Sequence, residues 1–172
     1  MKETTTFIFS LLMACLFSCV RSDGEDLYEA SSYIKVGDEI PDFTLSNEAG
    51  ALSKSDLAGK KTLLVLFATT CGDCQRVLPV IEAAWNVLKS DPAVAVVLIS
   101  REETAGAVSS YWAEAQLTMP YYLDTDRAVF NTFAKAYTPR VYLINPLQRV
   151  VEMHVESLKI SAGELCRRVQ AL

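Results

Sequence analysis

The sequence predicts an α/β fold, a mixed central sheet with helices packed on both faces. Three observations carry that expectation. Residues 62–68 (TLLVLFA) and 94–99 (VAVVLI) are continuous apolar runs rich in strand formers, the pattern of strands buried on both faces in mid-sheet. Helical periodicity follows each run. Residues 140–144 (RVYLI) and 150–155 (VVEMHV) alternate like an antiparallel pair, and a terminal helix follows them.

The chain has 172 residues and a formal net charge of −5, with 51% apolar residues. That length suits one domain and a leader. The acidic balance, with no Lys/Arg cluster, argues against sequence-independent nucleic-acid binding. At the N-terminus, Lys2 supplies a positive charge and residues 7–17 (FIFSLLMACLF) an apolar run. The run is short of the roughly 20 residues that span a bilayer, so residues 1–19 read as a secretory signal. Two cysteines fall in it. Leu16-Phe17-Ser18-Cys19 and, less well, Leu12-Met13-Ala14-Cys15 resemble bacterial lipoprotein cleavage sites. Cys19 is the expected lipidation site, because cleavage there leaves a full apolar region and a polar stretch after it. A plain signal peptide is the alternative. Residues 20–35 then read as a flexible tether and residues 36–172 as the domain.

Within the domain, Phe43 and Leu45 alternate with polar neighbours as in a half-buried strand, and residues 47–50 are turn-like. Residues 53–59 form a helical turn closed by Gly59. After the first apolar run come Cys71-Gly72-Asp73-Cys74 and a helix whose Val77, Ile81, Trp85 and Leu88 recur at helical spacing, with Pro79 inside it. Residues 104–115 form a helix with Val108, Tyr111 and Trp112 on one face. Residues 119–123 are a short strand and 127–136 a short helix. Residues 161–172 form the last helix, with Ser161 as N-cap and Glu164 at the capping-box position.

Outside the leader only Cys71, Cys74 and Cys166 remain, too few for a disulfide-stapled scaffold. A Cys-x-x-Cys pair between a buried strand and a helix has a physical logic. The helix's unpaired N–H groups favour a thiolate at its first turn. Cys71 is therefore the expected nucleophile, and Cys74, one turn on, the thiol that resolves a mixed disulfide. Zinc would need two more ligands, and Cys166 and His154 lack the spacing. The dithiol calls for no metal and no cofactor. His154 reads as structural or surface, and Cys166 as a small core residue.

Residues 63–79 (LLVLFATTCGDCQRVLP) resemble the active-site segment of the TlpA/ResA-like thiol–disulfide oxidoreductases, lipid-anchored or periplasmic thioredoxins. Thr138-Pro139, followed by residues 141–146 (VYLINP), is similar to the family's cis-proline segment. The likeness covers residues 36–172. It implies a thioredoxin fold in which Thr138 and Pro139 face Cys71 and Cys74 and bind substrate. It also implies protein thiols and disulfides of the cell envelope as substrates, a membrane or periplasmic redox partner, and a domain held in the periplasm or at the surface by its lipid. Thr70, Gly72, Asp73 and Arg140 become active-site neighbours. For Arg140 two destinations are open, the dithiol or solvent. The chain departs from the family at Thr70, where a Trp is usual, and at Gly72-Asp73 between the cysteines. It also departs at Val65 and Val77, which replace the acids that elsewhere accept the resolving thiol's proton. A redox-inactive binding module and a peroxiredoxin-like peroxidase are the alternatives. For the latter, Leu64 and Ala68 stand where Pro and Thr are expected.

Overall fold

The computed structural model of the protein describes residues 23–47 and 50–172. The chain enters through α1 (Asp23–Ala30), a hairpin of β1 (Thr44–Asn47) and β2 (Gly50–Ser53), and a 3-10 turn at Lys54–Leu57. It continues through β3 (Lys61–Phe67), α2 (Gly72–Leu88), β4 (Val94–Arg101), α3 (Ala105–Glu114) and β5 (Tyr122–Asp124). Then follow α4 (Phe130–Phe133), β6 (Arg140–Ile144), β7 (Val150–Val155) and α5 (Ala162–Gln170).

Five strands form one sheet in the order β5-β4-β3-β6-β7. The continuous apolar run puts β3 at its centre, parallel to β4 and antiparallel to β6. Every residue from Thr62 to Phe67 is buried. Successive side chains alternate between two layers. Leu63, Val65 and Phe67 pack with α2, α3 and α5 on one face. Leu64 and Leu66 pack on the other with Phe43, Leu45, Leu57, Phe130 and Phe133. Each buried aliphatic contributes roughly 1.5–3 kcal/mol, more than the ~1 kcal/mol span of strand propensities. Burial on both faces thus decides that this run is the central strand.

The elements follow the sequence expectation with two adjustments. The short strand is shifted to Tyr122–Asp124, and the helix expected over 127–136 contracts to Phe130–Phe133. Both changes centre on Asp124, 1% exposed, whose carboxylate accepts from the N–H groups of Val129 and Phe130. A buried acceptor fixes where that helix starts. Ser161 caps α5 through the Glu164 N–H, and the Glu164 carboxylate pairs with Arg167 and Arg168. Gly59, at φ +76, closes the turn after Leu57.

The flexible tether expected over residues 20–35 takes another form where the structure describes it. Asp23–Ala30 is helical, and Ser31 and Ser32 are each 6% exposed. Both serines accept hydrogen bonds from the Arg140 guanidinium, and the N–H groups of Tyr33 and Ile34 donate to the Phe133 carbonyl. The segment is polar and aperiodic, so nothing local marks it as ordered. Its order comes from a buried cation more than a hundred residues away that needs acceptors. The leader, with Cys15 and Cys19, lies outside the described residues. Among the described residues no helix is long and apolar enough to cross a membrane.

Candidate active site

β3 ends at Phe67, and after four intervening residues α2 begins at Gly72. Cys71 is the N-cap of α2, in extended conformation at φ −87 and ψ 118, and its carbonyl accepts from the Gln75 N–H. Cys74 lies in the first turn, on the face that also buries Val77, Leu78 and Ile81. Both thiols are free, Cys71 half-buried and Cys74 fully buried. The expected Thr138–Pro139 cis bond is present, and it faces the dithiol. The Cys71 thiol donates to the Thr138 carbonyl oxygen across 3.2 Å. The structure therefore brings Cys71, Cys74, Thr138 and Pro139 together.

The two thiols differ electrostatically. Burial works against a Cys71 thiolate, but the N–H groups of Cys74 and Asp73, the Thr138 side chain and the Cys74 thiol all favour it. The balance lowers the Cys71 pKa below that of a free thiol. Burial pushes Cys74 up to about 12, although the Ala68 N–H donates to its sulfur across 3.4 Å. Val65 and Val77 lie in the same apolar cluster as Cys74. Neither valine can take up the proton that Cys74 must lose, and desolvation outweighs the hydrogen bonds that favour its thiolate.

Among the neighbours, Thr70 and Gly72 are exposed, and the Asp73 carboxylate pairs with Arg76 on the surface. Arg140 corrects both destinations left open for it. Along β6, Val141 and Leu143 pack on the Cys74 side of the sheet, so Arg140 shares the opposite face with Tyr142 and Ile144. It is 0% exposed, and its guanidinium donates to the carbonyls of Ala136 and Tyr137 and to the hydroxyls of Ser31 and Ser32. Strand alternation denies it the dithiol, and these acceptors take it out of solvent. His154 bonds to Glu152 across 2.6 Å on β7, and Cys166 is buried against α2 near the Ala84 carbonyl.

Sequence reasoning missed Glu103 and Gln75. The half-buried Glu103 carboxylate accepts from the Thr69 N–H and hydroxyl and from the Ser100 hydroxyl. Gln75 donates to the Thr69 carbonyl across 2.9 Å. Thr69, two residues before Cys71, is thereby held from both sides. The only sequence signal is a polar Thr69-Thr70 pair at the end of an apolar strand, which demands partners without naming them.

The profile of the redoxin family matches residues 35–164. The thiol–disulfide oxidoreductase ResA of Bacillus subtilis is 29% identical over 128 residues, covering 74% of this chain and 71% of that protein. A Bacteroides thetaiotaomicron structure described as a protein disulfide isomerase superimposes with a TM-score of 0.73 at 27% identity, over 82% of this chain and 89% of that one. StoA of Bacillus subtilis superimposes with a TM-score of 0.64 at 20% identity, over 75% of this chain and 96% of that one, a likeness of fold alone.

Proposed function

The chain belongs to the redoxin family and is a thiol–disulfide oxidoreductase of the ResA type, and on that premise we propose that Cys71 and Cys74 carry its reaction. The observation that supports this reading is the opposite displacement of the two thiols, with Cys71 lowered and Cys74 pushed up to about 12. The Cys71 thiolate attacks one sulfur of a substrate disulfide. That S–S bond breaks, a Cys71–substrate disulfide forms, and the other substrate sulfur leaves as a thiolate that takes up a proton. Cys74 then loses its proton and attacks the Cys71 sulfur. The second substrate thiol is released, and a Cys71–Cys74 disulfide remains. Two electrons have passed to the substrate, and a dithiol donor must return them.

Thr138 and Pro139 position the substrate beside Cys71. The domain works outside the cytoplasm on protein disulfides of the cell envelope, anchored by lipid on Cys19 and recharged by a membrane or periplasmic redox partner. A persisting disulfide product accords with an oxidising compartment. Insulin reduction driven by dithiothreitol tests the activity: wild type accelerates it and Cys71→Ala does not. Equal rates for the two would remove the dithiol from the reaction. Mass spectrometry of the membrane fraction tests the anchor, which requires a diacylglyceryl peptide beginning at Cys19. A soluble mature protein with another N-terminus would refute it.

A further inference from the structure

Tyr137, directly before Thr138, has φ +68, a left-handed conformation uncommon for a bulky aromatic residue. Strain of this kind persists only where its surroundings enforce it. Here Arg140 enforces it by donating to the carbonyls of Ala136 and Tyr137. The Tyr137 ring meets the Tyr28 ring edge-on, with centroids 5.5 Å apart and planes at 82°. Tyr28 comes from α1, and its hydroxyl donates to the Glu156 carboxylate across 2.6 Å. The Glu156 N–H in turn donates to the Pro139 carbonyl across 2.8 Å. Two half-buried rings in mutual contact therefore adjoin, through Tyr137, the Thr138 residue whose carbonyl meets the Cys71 thiol.

Neither ring belongs to the two buried clusters of the described residues. The hydrogen bond to Glu156, burial and the charges of Glu156 and Asp73 raise the Tyr28 pKa, so Asp73 lies within electrostatic reach of this ring. The residue before Cys71 is an exposed threonine and offers no aromatic surface. The aromatic side chains next to the cis-proline segment come instead from α1 and the 136–139 loop. Resting on the dithiol reading above, we propose that Tyr28 and Tyr137 form the aromatic wall of the substrate groove and select polypeptide disulfides with an apolar or aromatic side chain next to the attacked cysteine.

The wall is pre-organised. One ring is held by its hydroxyl, the other by an enforced backbone, so little rotamer freedom is lost when a substrate side chain packs on them. An edge-on pair also leaves ring face open for a third apolar group.

The test uses the reduced full chain and two synthetic peptide disulfides that differ only in Phe or Gly beside the cysteine. Wild type is expected to favour the Phe peptide in kcat/KM by about tenfold. Tyr28→Ala and Tyr137→Asn remove a ring each, the second with a residue suited to positive φ. Each should bring the ratio below about threefold, whereas Tyr28→Phe, which keeps the ring and gives up only its anchor to Glu156, should stay above that value. Because the readout is a ratio within one protein, partial misfolding of a variant cancels. A wild type without preference, or a preference surviving in both ring-removing variants, overturns the wall while leaving the dithiol reading intact. A wild type that reduces neither peptide overturns the dithiol reading, and the wall falls with it.

Discussion

The Cys71 sulfur and the Thr138 carbonyl oxygen are 3.2 Å apart, although 67 residues separate them in the chain. In the thiol form this contact is a hydrogen bond. In the thiolate form the carbonyl no longer receives a proton, and the N–H groups at the start of α2 carry the charge. The dithiol is thus set between a donor array on one side and an acceptor on the other, and its behaviour depends on both.

On the proposed reading, the unequal burial of the cysteines gives them unequal roles. Cys71→Ala should abolish turnover. Cys74→Ala should leave the attack intact and stall at the mixed disulfide, so that substrates stay covalently attached. Non-reducing electrophoresis of cell extracts would show adducts with Cys74→Ala alone. Adducts with Cys71→Ala alone would reverse the roles.

The same difference sets the pH dependence. Alkylation by iodoacetamide should occur first at Cys71, with a midpoint below that of a free thiol, while Cys74 resists until the pH approaches about 12. For stability the signs are opposite. The lowered Cys71 pKa contributes stability that is complete above the unfolded thiol pKa of about 8.5 and is lost as pH falls through the folded value. The raised Cys74 pKa contributes stability that is complete below about 8.5 and is lost as pH rises towards 12. Relative to Cys74→Ala, reduced wild type should therefore lose up to about 1.4 kcal/mol per pH unit across that upper interval. Urea unfolding of both proteins between pH 8 and 10 measures it. Parallel pH profiles would show that Cys74 ionises as freely folded as unfolded.

Glu103 should matter for the loop before the dithiol. Glu103→Ala removes the acceptor for the Thr69 N–H and hydroxyl and for Ser100. The expected cost is about 1–3 kcal/mol in urea unfolding, with faster hydrogen exchange at the Thr69 amide. A variant as stable as wild type, with Thr69 still protected, would show that the carboxylate is dispensable.

Arg140 should couple α1 to the 136–139 loop. Arg140→Met keeps much of the volume but strands the carbonyls of Ala136 and Tyr137 and frees Ser31 and Ser32. Loss of these charge-assisted bonds should cost about 3 kcal/mol. Hydrogen exchange over residues 23–34 should rise with it. Unchanged protection there would mean that α1 is held by other contacts.

The sequence by itself determined the sheet and the location of the dithiol, because both are written in local signals. An unbroken apolar run marks β3 as central, helical spacing puts Cys74 on the inner face of α2, and the strand-to-helix junction places Cys71 at the N-cap. Resemblance at residues 138–146 located the partner segment. What tertiary structure alone decided is the polar framework around that site. The Thr69–Glu103 contact, the edge-on pair of Tyr28 and Tyr137, the bonds from Arg140 to Ser31 and Ser32 and the ordering of residues 23–32 each join groups distant in sequence. A buried donor or charge states only that it needs a partner. Which partner it takes is set by which surfaces the packed core brings within hydrogen-bonding range, and no local periodicity encodes that.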